Sequence, residues 1–203
     1  MNKTKIAVLI SGRGSNLKAL IEACAQPDFP AEIALVISNK KDAGGLKYAE
    51  EAGITYKFID HKAFPKREAF DMAIHEEVIV SGAQLICLAG FMRIISAEFI
   101  TLWKNKIINI HPSLLPAFKG VDTHKRALEE GCKYHGCTVH FVVPDVDSGP
   151  IIAQSVVEVR DDDTEETLAA RVLEKEHEIY PRSLRLVVEN KYLVKGHRVE
   201  TWG

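Results

Sequence analysis

The stretch KIAVLISGRGSN, residues 5–16, decides the fold. Residues 6–10 are apolar throughout, the pattern of a strand covered on both faces. The chain then turns through two glycines into a helical stretch at 15–26. Strand, glycine loop and helix in that order open a βαβ unit. Working outward, the runs at 32–38, 55–59, 84–88 and 106–110 read as further strands. Helical patterns near 43–52, 64–80 and 96–103 separate them. This alternation predicts an α/β fold with a Rossmann-like, doubly wound and mostly parallel sheet.

Beyond His111 the grammar changes. PSLLPAFKG is a loop with two prolines, and a helix is expected from about 122 to 130, ending near Gly131. Residues 138–143 and 150–159 read as two strands joined by DVDSG, an antiparallel addition to the parallel core. A long helix should start near Thr164, with Asp163 as its N-cap and Glu165 and Glu166 in the first turn. Pro181 should end or kink it. Short strands close the tail. No repeat or linker interrupts the 203 residues, so the expectation is one domain.

Composition narrows the function classes. Apolar residues make up 46% of the chain and charged residues 27%, the balance of a globular domain. A formal net charge of −2 gives no basic surplus that would imply nucleic acid as a partner. The N-terminal apolar run is too short for a signal-peptide core, and no stretch approaches a membrane span. Four scattered cysteines suit reduced thiols, and the expected compartment is the cytosol.

Ligands of an open α/β sheet bind outside the carboxyl ends of its strands, which selects the loops at 11–16, 39–45, 60–67, 89–95, 109–120 and 143–149. In the first of these, Gly14 lets the backbone approach an anion, and the free N–H groups of the helix start favour phosphate. Ser15 and Asn16 add side-chain donors. A dinucleotide fingerprint would need a third glycine where Leu17 stands, and no acid is placed to bind a ribose diol after the second strand. The expectation is therefore a monophosphate site with no NAD(P).

Asn109 and His111 stand two residues apart at the end of the fifth strand, so they share a face. A neutral amide donor beside an imidazole is a pair suited to stabilising an oxyanion at an attacked carbonyl. Asp147, in DVDSG, would supply a carboxylate that favours the cationic imidazole and takes up a proton. Singly, each residue also reads as turn or core chemistry. No serine or cysteine stands in a nucleophile–base arrangement, which favours direct transfer over a covalent enzyme intermediate. Cys132, His135, Cys137 and His140 mimic a zinc cluster, but the spacing matches no standard pattern, and on a regular strand Cys137 and His140 would face opposite ways. No metal is expected.

The segments SGRGSNLKALIEA at 11–23, LAGFMRIIS at 88–96, NIHPSLLPAFKG at 109–120, HGCTVHFV at 135–142, DSGPII at 147–152 and EHEIYP at 176–181 together resemble the phosphoribosylglycinamide formyltransferases among the folate-dependent formyltransferases. The resemblance implies formyl transfer from 10-formyltetrahydrofolate, as co-substrate, to the amine of glycinamide ribonucleotide in purine synthesis. It implies that Gly14, Ser15 and Asn16 hold the ribonucleotide phosphate and Glu176 its ribose hydroxyls. Arg67, Met92, Arg93, Ile94 and Ile95 would line the folate site, with Asn109, Val143, Pro144, Asp145, Val146 and Asp147 completing it. Leu88, Ile95 and Val143 would pack on the pterin. Asn109, His111 and Asp147 match the catalytic trio. Residues 1–110 would form the phosphate-binding half and 111–203 the half completing the folate site of a monomer or weak homodimer. The rival readings are a formyltetrahydrofolate hydrolase, a sugar-nucleotide or methionyl-tRNA formyltransferase, and a non-catalytic phosphoribosyl-ligand binding protein. The tRNA enzyme and the hydrolase are expected to carry an additional domain.

Overall fold

The computed structural model describes residues 3–202. The chain divides into two compact units, one running to Asn109 and the other beginning at Ile110.

The first unit is built on β1 (Thr4–Ile10), α1 (Ser15–Cys24), β2 (Ala31–Ser38), α2 (Gly45–Glu51), β3 (Tyr56–Phe58), α3 (Arg67–Ser81), β4 (Leu85–Leu88), α4 (Ala97–Leu102) and the start of β5 (Ile107–His111), whose last two residues begin the second unit. Its strands lie in the order β3-β2-β1-β4-β5, and every pair in that series is parallel. Crossover helices cover a sheet of this kind on its faces, so its central strands must be apolar on both sides. β1 meets that demand: Ile6, Ala7, Val8, Leu9 and Ile10 are all 0% exposed. Each large aliphatic side chain so buried contributes about 1.5–3 kcal/mol. The doubly wound order puts the β1–α1 and β4–α4 loops at neighbouring strand ends.

The second unit holds α5 (Thr123–Glu129), β6 (Tyr134–Phe141), β7 (Ile151–Glu158), α6 (Glu165–Val188), β8 (Tyr192–Lys195) and β9 (Arg198–Thr201). β6 and β7 pair antiparallel, as do β8 and β9, and β9 meets β7 in parallel at Ile151 and Arg198. α6 packs on β6 and β7 and buries Leu168, Val172, Ile179, Tyr180 and Leu184. The chain is thus α/β, mostly parallel, with antiparallel strands in its C-terminal part. Among the described residues no helix is long and apolar enough to cross a membrane.

Four local expectations need correction. The N-cap of α6 is Thr164, whose hydroxyl accepts from the Thr167 N–H while the Thr167 hydroxyl accepts from the Thr164 N–H. Asp163 instead accepts from the Arg160 N–H at 2.7 Å and pairs with Arg171, so its carboxylate is already engaged. Pro181 does not end the helix, which continues to Val188; burial of Tyr180, Ser183, Leu184 and Val187 on both sides of the proline holds it against the sheet. β6 begins at Tyr134 and stops at Phe141, earlier at both ends than predicted, because His135, Gly136 and Cys137 pair with β7 despite their weak strand pattern. The pairing also shifts register between Val139 and His140, so simple alternation does not fix which way Cys137 and His140 face.

Candidate functional site

At the phosphate-loop candidate the chain turns from β1 into α1. Gly14 caps α1 in the left-handed region, at φ 77°. A Cβ there would lie 2.4 Å from the Gly45 Cα, so both conformation and space exclude a side chain. Ser15 opens the helix, and Asn16 is buried on its first turn. The backbone of Gly12 accepts from the Gly45 N–H at 3.0 Å, which seats the loop against the start of α2.

The folate-loop candidate joins β4 to α4. Ile95 is 8% exposed and Leu88 is 7% exposed. Met92 and Ile94 are exposed apolar residues, and Arg93 is exposed beside them. Arg67 opens α3, exposed, with Glu68 3.6 Å from its guanidinium. The segment has no regular structure between β4 and α4, and two side chains fix its ends. The Ser11 hydroxyl accepts from the Met92 N–H at 2.7 Å. The Asp71 carboxylate accepts from the Ser96 N–H at 2.7 Å, while the Ser96 hydroxyl caps α4. Burial raises the Asp71 pKa above the usual carboxylate range, and the bonds from Ser96 oppose the rise.

The second unit brings two of the three predicted catalytic residues together. His111, at the end of β5, places Nδ1 3.4 Å from Oδ2 of Asp147. Its Nε2 lies 2.9 Å from the Phe118 carbonyl and so donates to it. Both ring nitrogens therefore lie near oxygen acceptors. Asp147 Oδ2 also accepts from the Gly120 N–H at 2.9 Å. Asp147 takes a positive φ of 49°, which aspartate tolerates better than most residues. Gly149 lets the chain after it run close against β6, because a Cβ at 149 would sit 1.7 Å from the Phe141 carbonyl oxygen. Asn109 shares β5 with His111, two residues before it, and is half-buried. Val143 is half-buried, Pro144, Asp145 and Val146 are exposed beyond β6, and Glu176 is 6% exposed on α6.

Sequence reasoning missed a second imidazole. His140 Nε2 stands 3.7 Å from Asp147 Oδ1, and its Nδ1 donates to the Phe141 carbonyl at 2.9 Å. Burial lowers its pKa below the usual imidazole value, and the Phe141 carbonyl and Asp147 oppose that fall. His124 and His135 pack edge to face at 5.2 Å, and burial lowers both pKa values, His135 to about 4. No local signal pointed to His140, because the register shift between Val139 and His140 breaks the strand alternation there. Among the described residues no three His, Cys, Asp or Glu side chains gather as a metal-binding group.

A left-handed glycine caps α1 of the Rossmann-like first unit, and in the second unit a strand-end imidazole stands against a turn carboxylate. A sequence model described as formyl transferase matches residues 4–184, and the chain belongs to that family. More narrowly, it is 42% identical over 197 residues to a phosphoribosylglycinamide formyltransferase of Escherichia coli strain K12, covering 97% of this chain and 92% of that protein. It is 53% identical over 186 residues to a trifunctional purine biosynthetic protein adenosine-3 of Gallus gallus. That alignment covers 92% of this chain, and the chain spans only 18% of the trifunctional protein. Among solved structures, glycinamide ribonucleotide transformylase 1 of Symbiobacterium toebii matches with a TM-score of 0.97 at 46% identity, covering 99% of this chain and 95% of that one.

Proposed function

We propose that this chain transfers the formyl group of 10-formyltetrahydrofolate to the amine of glycinamide ribonucleotide, giving the N-formyl product and tetrahydrofolate in purine synthesis. The observation that carries the reading is the His111–Asp147 pair, 3.4 Å apart, in a formyl transferase chain. Gly14, Ser15 and Asn16 hold the substrate phosphate on the N–H groups at the start of α1. Glu176 accepts from the ribose hydroxyls. Arg67 faces the folate glutamate, and Met92, Arg93, Ile94, Ile95, Val143, Pro144, Asp145 and Val146 line the folate.

The amine attacks the formyl carbon and a tetrahedral oxyanion forms. His111 turns the Nε2–H now given to Phe118 toward that oxygen, and the Asn109 amide adds a second donor. Asp147 balances the imidazolium and assists removal of the amine proton, which passes to the folate nitrogen as the C–N bond to folate breaks. Fixing both reactants in line removes several kcal/mol of the barrier, on the order of 7 or more at best. The enzyme acts in the cytosol as a monomer or weak homodimer and requires neither metal nor NAD(P).

A coupled assay tests this. Glycinamide ribonucleotide and 10-formyltetrahydrofolate are supplied together, and tetrahydrofolate release is followed. Release that depends on the ribonucleotide is the expected result. Equal release without the ribonucleotide would identify a hydrolase, and no release under either condition would leave a binding protein.

A further inference from the structure

The two ligand loops of the first unit share one buried hydroxyl. Ser11 is the first residue after β1 and is 2% exposed. Its Oγ accepts from the Met92 N–H at 2.7 Å and donates to Asn39 Oδ1 at 2.5 Å. A serine hydroxyl has one hydrogen, so donating it to Asn39 fixes the lone pair that Met92 uses. Asn39 is 3% exposed, and its Nδ2 lies 3.4 Å from His61 Nδ1, which sets the amide's orientation. The Ser11 N–H donates to the Gly90 carbonyl at 3.1 Å. One residue therefore grips the Gly90–Met92 backbone twice, and the next residue, Gly12, begins the anion loop seated on Gly45. The Met92 segment has no strand or helix of its own, so its backbone position depends on such clamps.

We propose that Ser11, oriented by Asn39, is a positioning residue that couples the two substrates: an occupied anion loop fixes the Met92–Ile95 loop, and each substrate tightens the other. This rests on the assignment of the two loops to ribonucleotide and folate. Anion binding orders the backbone from Gly12 onward, Ser11 is held with it, and the Met92 N–H follows through the hydroxyl. Reciprocity is required, because a coupling free energy acts equally on both ligands.

The test is the affinity of tetrahydrofolate, which cannot donate formyl, measured by calorimetry with and without saturating glycinamide ribonucleotide. The wild-type protein should bind it about fivefold tighter or more in the presence of the ribonucleotide. Ser11→Ala and Asn39→Leu should bring that ratio near unity, and Ser11→Thr should retain it. A purely structural role for Ser11 would weaken both affinities and leave the ratio unchanged, which overturns the proposal. A second measurement stands independent of any variant. In the wild-type protein, the ribonucleotide alone should slow hydrogen exchange at the Met92 amide, and unchanged exchange overturns the relay. Should tetrahydrofolate and the ribonucleotide each fail to bind singly, the loop assignment falls and the relay with it. Binding of both with a ratio of one removes the relay alone.

Discussion

The carboxylate of Asp147 stands 3.4 Å from Nδ1 of His111 while its own backbone holds a φ of 49°. The conformation and the contact belong together. A turn in the left-handed region brings Oδ2 back to both the imidazole and the Gly120 N–H. Asparagine has the same tolerance for that conformation and keeps an oxygen for Gly120, but it lacks the charge.

Asp147→Asn should therefore fold normally and lose turnover. The expected change is a fall in kcat of about 10²-fold or more, the usual scale for removing a proton-transfer group. The melting temperature should move little. Asp147→Ala should lose activity and stability together, because it leaves Gly120 without its acceptor. A fully active Asp147→Asn enzyme would remove the carboxylate from the reaction.

The anion loop separates two roles that neighbouring glycines play. At Gly14, φ is 77° and a Cβ would meet Gly45 at 2.4 Å. At Gly12 nothing lies within 4 Å of a Cβ. Gly14→Ala should cost about 2–4 kcal/mol from clash and backbone strain combined. Gly12→Ala should leave stability within about 1 kcal/mol and act on the approach of the phosphate, raising KM for the ribonucleotide. Urea midpoints and KM values for the pair decide between these readings. Equal stabilities for the two variants would contradict the close packing at Gly45.

The strands and the glycine turn before α1 were legible because their signals are local. Apolar runs such as 6–10 have no other use, and glycines at 12 and 14 before a helix read as a turn. Asn109 and His111 could be placed on one strand for the same reason, since both lie in the apolar run that becomes β5. What stayed hidden depends on tertiary contact. No spacing rule joins Ser11 to Met92, 81 residues away, or Asp71 to Ser96. His140 was read against nearby cysteines, and its meeting with Asp147 is a tertiary contact no spacing rule predicts. The cap of α6 was placed one residue early because Asp163 and Thr164 are both good caps, and the choice is made by Arg171 occupying the aspartate.

The histidines of the second unit set an acid limit on stability. Burial and the neighbouring His124 push His135 down to about 4, against a bond from its ring to the Pro112 carbonyl. Its folded pKa lies below the unfolded value near 6.5, so between these values the unfolded chain binds the extra proton. Stability is therefore full above about 6.5 and falls as pH drops toward 4, by up to about 1.4 kcal/mol per pH unit from this group. His135→Asn keeps a donor for Pro112 and removes the titration. The difference between wild-type and variant unfolding free energies, measured by urea at pH 7.5 and at steps down to pH 4.5, should shrink or reverse as the pH falls. A constant difference across that range would show that His135 does not carry the effect.

Asp71 offers the sharpest separation of a buried hydrogen bond from a buried charge. It is 1% exposed, it accepts from the Ser96 N–H at 2.7 Å, and burial raises its pKa. The raised pKa means that the charge is costly where it stands, while the acceptor is needed. Asp71→Asn retains an acceptor oxygen without the charge. Its stability at pH 7 should match or exceed that of the wild type, and the folate KM should change little. Asp71→Ala strands the Ser96 N–H and should lose about 1–3 kcal/mol. Because Ser96 closes the Met92–Ile95 loop, this second variant should also raise the folate KM several-fold while kcat holds. Urea unfolding and steady-state kinetics on the two variants check both halves. A charge requirement would appear as equal damage from Asn and Ala, and that result would transfer the role of Asp71 from anchoring Ser96 to balancing a cation such as Arg67, whose charge acts on the same carboxyl.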